Sequence, residues 1–137
     1  MLPKKPIFAV KRSKTGLGLF ALQTIPAEKR IIEYKGTILT NEESEEVGGK
    51  YLFTLDDNRV IEGSDRSNLA RYINHSCDPN ARERPTRNRI WIWSLREIQA
   101  GEEITIDYGE EYLDAYIKPI GCKCASCLSQ TNGKKTK

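Results

Sequence analysis

The sequence predicts a mainly β protein made of small sheets with few, brief helices. Two observations carry that reading. Apolar residues come in short runs separated by Gly, Pro, Asn and Asp turn signals, as strands joined by tight connections require. Side chains also alternate with period two, most clearly at 104–108, where Ile104, Ile106 and Tyr108 share one face and Thr105 and Asp107 the other. At 137 residues the chain suits one domain, long enough to bury about two-thirds of its unfolded surface.

Taken in order, residues 7–10 and 18–22 read as strands on either side of the K-T-G-L-G loop at 14–18, and residues 30–34 and 37–39 as strands around a bend or bulge at Gly36. Thr40 followed by Glu43 is a capping box, and Glu42 and Glu43 suit a helix N-terminus; Gly48-Gly49 would end that helix. Its one apolar residue is Val47, so a solvated loop is the competing reading. Residues 50–55 and 59–62 flank D-D-N as a hairpin. Residues 90–93 are apolar on both faces, which predicts a buried strand with Trp91 and Trp93 in the core, preceded by a turn at 86–88. A turn at 99–102 leads into the alternating strand. Tyr112, Leu113, Tyr116 and Ile117 lie at helical spacing, and residues 129–137 read as a disordered basic tail.

The net charge of +3 hides an uneven distribution. Residues 1–14 and 128–137 hold eight bases and no acid; without those eight the 22 bases become 14, against 19 acids, a body of about −5. An acidic body favours a basic protein or peptide partner over direct nucleic-acid binding. No apolar run approaches the roughly 18 residues of a membrane span, and residues 7–10 are too short for a signal-peptide core. The expectation is an intracellular protein without membrane contact, cytoplasmic or located in the nucleus or on chromatin.

Two features point to chemistry. Residues 68–80, N-L-A-R-Y-I-N-H-S-C-D-P-N, concentrate amides, the chain's one histidine and a thiol, either as a site or as a polar loop closed by Asp78-Pro79. Cys122, Cys124 and Cys127 lie too close together to bridge one another easily, and Cys77 brings the thiolates to four, the number a closed tetrahedral zinc site takes. Free or redox-active thiols are the alternative. Zinc held this way would be structural, because no coordination position is left for water.

Five blocks, in order, resemble the SET-domain family of protein lysine methyltransferases. They are K-T-G-L-G-L-F from Lys14, E-Y-K-G from Glu33, R-Y-I-N-H-S-C from Arg71, E-I-T-I-D-Y-G from Glu103, and C-K-C-A-S-C from Cys122. The last is similar to the family's post-SET element, which joins the central cysteine on zinc. The resemblance implies a SET domain over 1–117, a post-SET zinc segment over 118–128, and a C-terminal segment threaded under a loop as a pseudoknot. Threading is rare and is not something turn signals would indicate.

It further implies methyl transfer from S-adenosylmethionine to a lysine amine of a protein, a histone or histone-like basic tail among the candidates. A catalytically silent SET-like peptide-binding module is the alternative. Tyr108 would be the catalytic tyrosine, with Tyr34 and Tyr51 as walls of the lysine channel; K-Y-L-F-T-L at 50–55 also suits Tyr51 to an ordinary core role. Cofactor contacts would fall to Lys14, Gly16, Leu17, Gly18, Arg71, Tyr72, Asn74, His75, Tyr108 and Leu128, with His75 acting mainly through its backbone. Cys77, Cys122, Cys124 and Cys127 would hold zinc. The chain departs from the family in three places. Ile106 stands where many members carry an aromatic residue that sets how many methyls are added, Ser67 replaces a usual glycine, and Cys124 and Cys127 are separated by two residues where four are common. No cysteine-rich segment precedes residue 7, so substrate recognition is expected from this small domain or a partner.

Overall fold

The computed structural model describes residues 6–13, 16–49 and 51–108. Strands β1 (Phe8–Ser13) and β2 (Gly16–Ala21) form a hairpin, followed by β3 (Arg30–Tyr34), β4 (Thr37–Thr40) and helix α1 (Asn41–Val47). Strands β5 (Leu52–Thr54) and β6 (Arg59–Glu62) form the second hairpin. A 3-10 turn (Leu69–Tyr72) leads to the two-residue β7 (Asn74–His75), then β8 (Ala81–Thr86), β9 (Arg89–Ser94) and β10 (Glu103–Ile106).

These strands make three small sheets, ordered β1-β2-β10-β7, β3-β9-β8 and β4-β6-β5. The arrangement agrees with the mainly β expectation. Helix α1 carries the complete capping box: Glu43 N donates to Thr40 Oγ1 at 3.1 Å and Thr40 N to Glu43 Oε1 at 2.8 Å. None of its residues is buried, so capping and its attachment to β4 hold it in place of an apolar stripe.

Branched aliphatic side chains facing inward from different sheets form the core. Leu19, Ile90, Ile92, Ile98 and Ile104 are fully buried, with Ile106 and Tyr34 almost so. An isolated bridge between Ile25 and Ile98 ties the connections flanking β3 and β10. Gly36 owes its identity to proximity: a Cβ there would run into the Glu62 carbonyl and lie 2.9 Å from Gly63 Cα. The bend expected at Gly36 is thus also the point where β4 leaves β3 for another sheet, with β6 pressed against it.

Two expectations are corrected. Trp91 and Trp93 are half-exposed, not core, because β9 buries its Ile90, Ile92 and Ser94 face and turns the indoles outward under Arg30 and Arg84. Residues 81–86, which no apolar pattern marked as a strand, form β8 on the edge of that sheet. Pairing with β9 supplies what the polar A-R-E-R-P-T sequence lacks, and Pro85 is tolerated because the strand is an edge.

Glu83 lies opposite Ile92 on the inner side of this pair, and burial raises its carboxyl pKa above the ordinary glutamate range, with the Asp107 charge adding to the effect. A carboxyl raised in the folded state destabilises once ionised. The penalty is absent below the unfolded value of about 4.3, grows as pH rises to the folded value and is constant above it. Glu83→Gln should therefore unfold at a higher temperature than the parent at pH 7, and thermal melts at falling pH should show the difference closing towards about pH 4.

Candidate active site

Strand β10 runs antiparallel to β2 and parallel to β7, placing Thr105 beside Asn74 and Ile106 beside His75. The alternation that buries Ile104 and Ile106 carries the chain to Tyr108 just past the strand end, where its position is set by several contacts. Its backbone N–H donates to His75 Nδ1 at 3.1 Å, and its hydroxyl donates to the Ile73 carbonyl. Its ring meets Phe53 edge-on at 6.3 Å and the His75 ring at 5.3 Å.

Phe53 in turn stacks on Tyr34 at 4.3 Å. The Tyr34 hydroxyl donates to the Tyr51 carbonyl at 2.9 Å. One aromatic layer therefore links β3, β5 and the Tyr108 segment. Tyr51 faces Arg71, whose guanidinium carbon lies 4.6 Å from the Tyr51 ring centroid and 5.0 Å from that of Tyr72. The buried Arg71 Nε has no hydrogen-bond partner among the described residues, so an acceptor reaching between the two tyrosines would satisfy a donor that burial otherwise penalises.

His75 is buried, and both ring nitrogens are engaged. Because Nδ1 accepts from Tyr108, the hydrogen of the neutral ring belongs on Nε2, which faces Cys77 Sγ at 3.2 Å. Burial lowers the imidazole pKa below its usual value, partly opposed by Asp107, whose Oδ1 is 3.8 Å from Nδ1. A neutral ring with both nitrogens occupied holds structure together and is poorly disposed to take a proton from a substrate.

Asn74 secures the glycine hairpin. Its Nδ2 donates to the Leu17 carbonyl at 2.9 Å and to Glu103 Oε2 at 2.7 Å, with Ser13 Oγ further off at 3.4 Å. A Cβ on Gly18 would collide with that Glu103 carboxylate, so the glycine permits the Asn74–Glu103 pair to sit directly beneath β2. Gly16 has φ +126, and a Cβ there would meet nothing within 4 Å; Leu17 beside it is exposed. The tip of the hairpin thus presents backbone to an open side.

Of the residues singled out from sequence, Tyr34, Tyr51, Arg71, Tyr72, Asn74, His75 and Tyr108 are drawn into this one region together with Gly16, Leu17 and Gly18. Lys14, Leu128, Cys122, Cys124 and Cys127 lie outside the described residues, as do the threaded C-terminus and the helix expected near 112–117. Cys77 is exposed. Among the described residues no group of three His, Cys, Asp or Glu side chains converges as a metal site. Two contributors escaped the sequence reading. Phe53 was detectable, since it follows Tyr51 by two positions and so shares its strand face. Asn80 carried no such mark: its Oδ1 accepts from Thr105 N at 2.9 Å while its Nδ2 donates to the Glu103 carbonyl at 2.8 Å, pinning β10.

A glycine hairpin clamped by the asparagine of N-H-S-C, beside a tyrosine at the end of a strand that runs between them, defines a SET domain. The chain belongs to that family: the SET domain profile matches residues 16–109. It is 38% identical over 128 residues to the histone-lysine N-methyltransferase set1 of Dictyostelium discoideum, covering 84% of this chain and 8% of that protein. It is 35% identical over 136 residues to the H3 lysine-4 specific histone-lysine N-methyltransferase of Saccharomyces cerevisiae, covering 90% of this chain and 13% of the yeast protein. The chain therefore spans only a small part of the length of these relatives. No helix among the described residues is long and apolar enough to cross a membrane.

Proposed function

We propose that this chain is a protein-lysine N-methyltransferase acting on a basic protein tail, with a histone H3-like tail as the first candidate. The observation that carries the proposal is the Tyr108 hydroxyl held against the Ile73 carbonyl, two oxygens set side by side at the end of an aromatic-lined layer. When bound, S-adenosylmethionine supplies the methyl group, the new N–C bond forming as the C–S bond breaks. The Tyr108 and Ile73 oxygens suit weak C–H···O contacts to a polarised methyl, and the fixed hydroxyl can orient an amine for in-line attack. Free lysine has a pKa of about 10.4, and an apolar channel walled by Phe53, Tyr34 and Tyr51 would favour its neutral form. The proton is lost to solvent, His75 being engaged at both nitrogens.

The cofactor would lie against Gly16, Leu17 and Gly18, with Asn74 supporting that hairpin and Arg71 and Tyr72 beside it. The unpartnered Arg71 Nε suits the carboxylate that S-adenosylmethionine carries. The acidic body supports a basic substrate, and a chromatin-associated location accompanies a histone-like one. Incubation with labelled S-adenosylmethionine and histones, with mass spectrometry to find the modified residue, should place label on lysine. Binding of histone peptide without transfer would leave a silent peptide-binding module instead.

We further propose that Cys77 joins Cys122, Cys124 and Cys127 on a structural zinc. An exposed Cys77 sulfur with the His75 Nε2–H 3.2 Å away suits a thiolate ligand, which such a hydrogen bond stabilises. Metal analysis of native protein should find about one zinc per chain, and Cys77→Ser should lose it together with several degrees of melting temperature. A melting temperature unmoved by chelation would remove the metal from its structural role.

A further inference from the structure

The outer face of the β3-β9-β8 sheet lies apart from the Tyr108 site and carries arginine and tryptophan in alternation. Along β9, Arg89, Trp91 and Trp93 turn outward while Ile90, Ile92 and Ser94 are buried. Across the register, Arg82 and Arg84 of β8 stand opposite Trp93 and Trp91, and Arg30 of β3 stands opposite Trp93 from the other side. Two guanidiniums lie diagonally on the indoles, Arg30 at 4.2 Å from the Trp91 centroid and Arg84 at 4.6 Å from that of Trp93. Glu28 pairs with Arg84 at 2.9 Å and Glu33 with Arg89 at 3.6 Å, which offsets part of the charge.

With Arg87 in the adjoining turn, five bases gather here. The acidic body as a whole has 14 bases against 19 acids, so the rest of it has nine against 19. Within the β8–β9 hairpin the one acid, Glu83, is on the inner side. The cationic charge is therefore concentrated on one sheet face of an otherwise acidic body, where chance distribution of surface charge would have mixed the signs.

We infer that this face binds an acidic segment of a partner protein. A guanidinium stacked on an indole is already oriented, so less side-chain freedom is lost when its N–H edge meets a carboxylate in a two-point contact. Tryptophan and arginine together are also the residues that dominate binding energy at protein interfaces. Nucleic acid fits less well: single strands bind such surfaces by stacking bases on aromatic faces, and here Arg30 and Arg84 already cover the indoles. Strand addition fits less well too, since Pro85 interrupts the donor row on the free edge of β8. The segment lies across the face, its carboxylates on the arginines.

The chain has two tryptophans, both on this face, so intrinsic fluorescence reports on it directly. Titrating the full chain with short poly-L-glutamate should change the tryptophan emission saturably, with affinity falling as salt is raised. The charge-reversed Arg82→Glu/Arg84→Glu pair should bind at least tenfold more weakly. Arg82→Glu alone, which leaves both cation–π stacks intact, should lose several-fold with an unchanged circular dichroism spectrum. An emission that does not respond, or folded variants that bind as the parent does, would overturn the inference. So would an oligothymidylate that binds more tightly than poly-L-glutamate and displaces it, which would make the face a nucleic-acid surface. Methyl transfer enters none of these readings, so the outcome stands independently of the proposed activity.

Discussion

Tyr108→Phe should lower kcat for methyl transfer by about 10²- to 10³-fold, the scale on which one positioned polar group in an active site contributes, while cofactor affinity stays within a few-fold. The separation follows from the contacts. The lost hydroxyl is the one that meets the Ile73 carbonyl, whereas the ring packing on Phe53 and His75 and the backbone bond to His75 Nδ1 involve atoms that phenylalanine retains. Single-turnover rates for kcat and calorimetric titration for the cofactor would check the two halves separately. A variant with parental kcat would take Tyr108 out of the chemistry. One that loses cofactor binding in proportion would make it a structural residue.

Asn80→Leu should destabilise the fold by about 3 kcal/mol. Asn80 is 2% exposed, and leucine of similar size would leave both the Thr105 N–H and the Glu103 carbonyl without their side-chain partner. Each backbone group stranded in the interior costs about 1–3 kcal/mol. Because the lost bonds are to β10, activity should fall before global unfolding as denaturant is raised. Urea titration of the variant and parent, followed by fluorescence and by methyl transfer, would measure both. Coincident transitions in the two probes would mean that β10 is not separately loosened.

Most strands were legible because their signals are local. The alternation at 104–108, the K-T-G-L-G turn and the Thr40–Glu43 capping box each contain their own cause within a few residues, and each appears in the fold where its spacing puts it. Residues 81–86 contain no such cause. A-R-E-R-P-T becomes β8 only because β9 lies beside it, a contact between segments whose pairing depends on the hairpin as a whole. The tryptophans failed for the complementary reason. An apolar run on both faces indicates two covered faces, yet cation–π stacking of Arg30 and Arg84 can cover indoles in place of a second layer.

The candidate site divides along the same line. Residue types and order, Asn74 and His75 ahead of Cys77 and then Tyr108, were enough by themselves to identify the family, because each block carries a local requirement for close backbone approach or a particular side chain. What they do for one another was decided by tertiary structure. That Asn74 clamps Leu17 and Glu103, that the Tyr108 hydroxyl meets Ile73, and that His75 accepts from the Tyr108 backbone all depend on β10 lying between β2 and β7. Those hydrogen bonds join residues 29 to 57 positions apart, and no spacing rule within a strand or turn reaches that far.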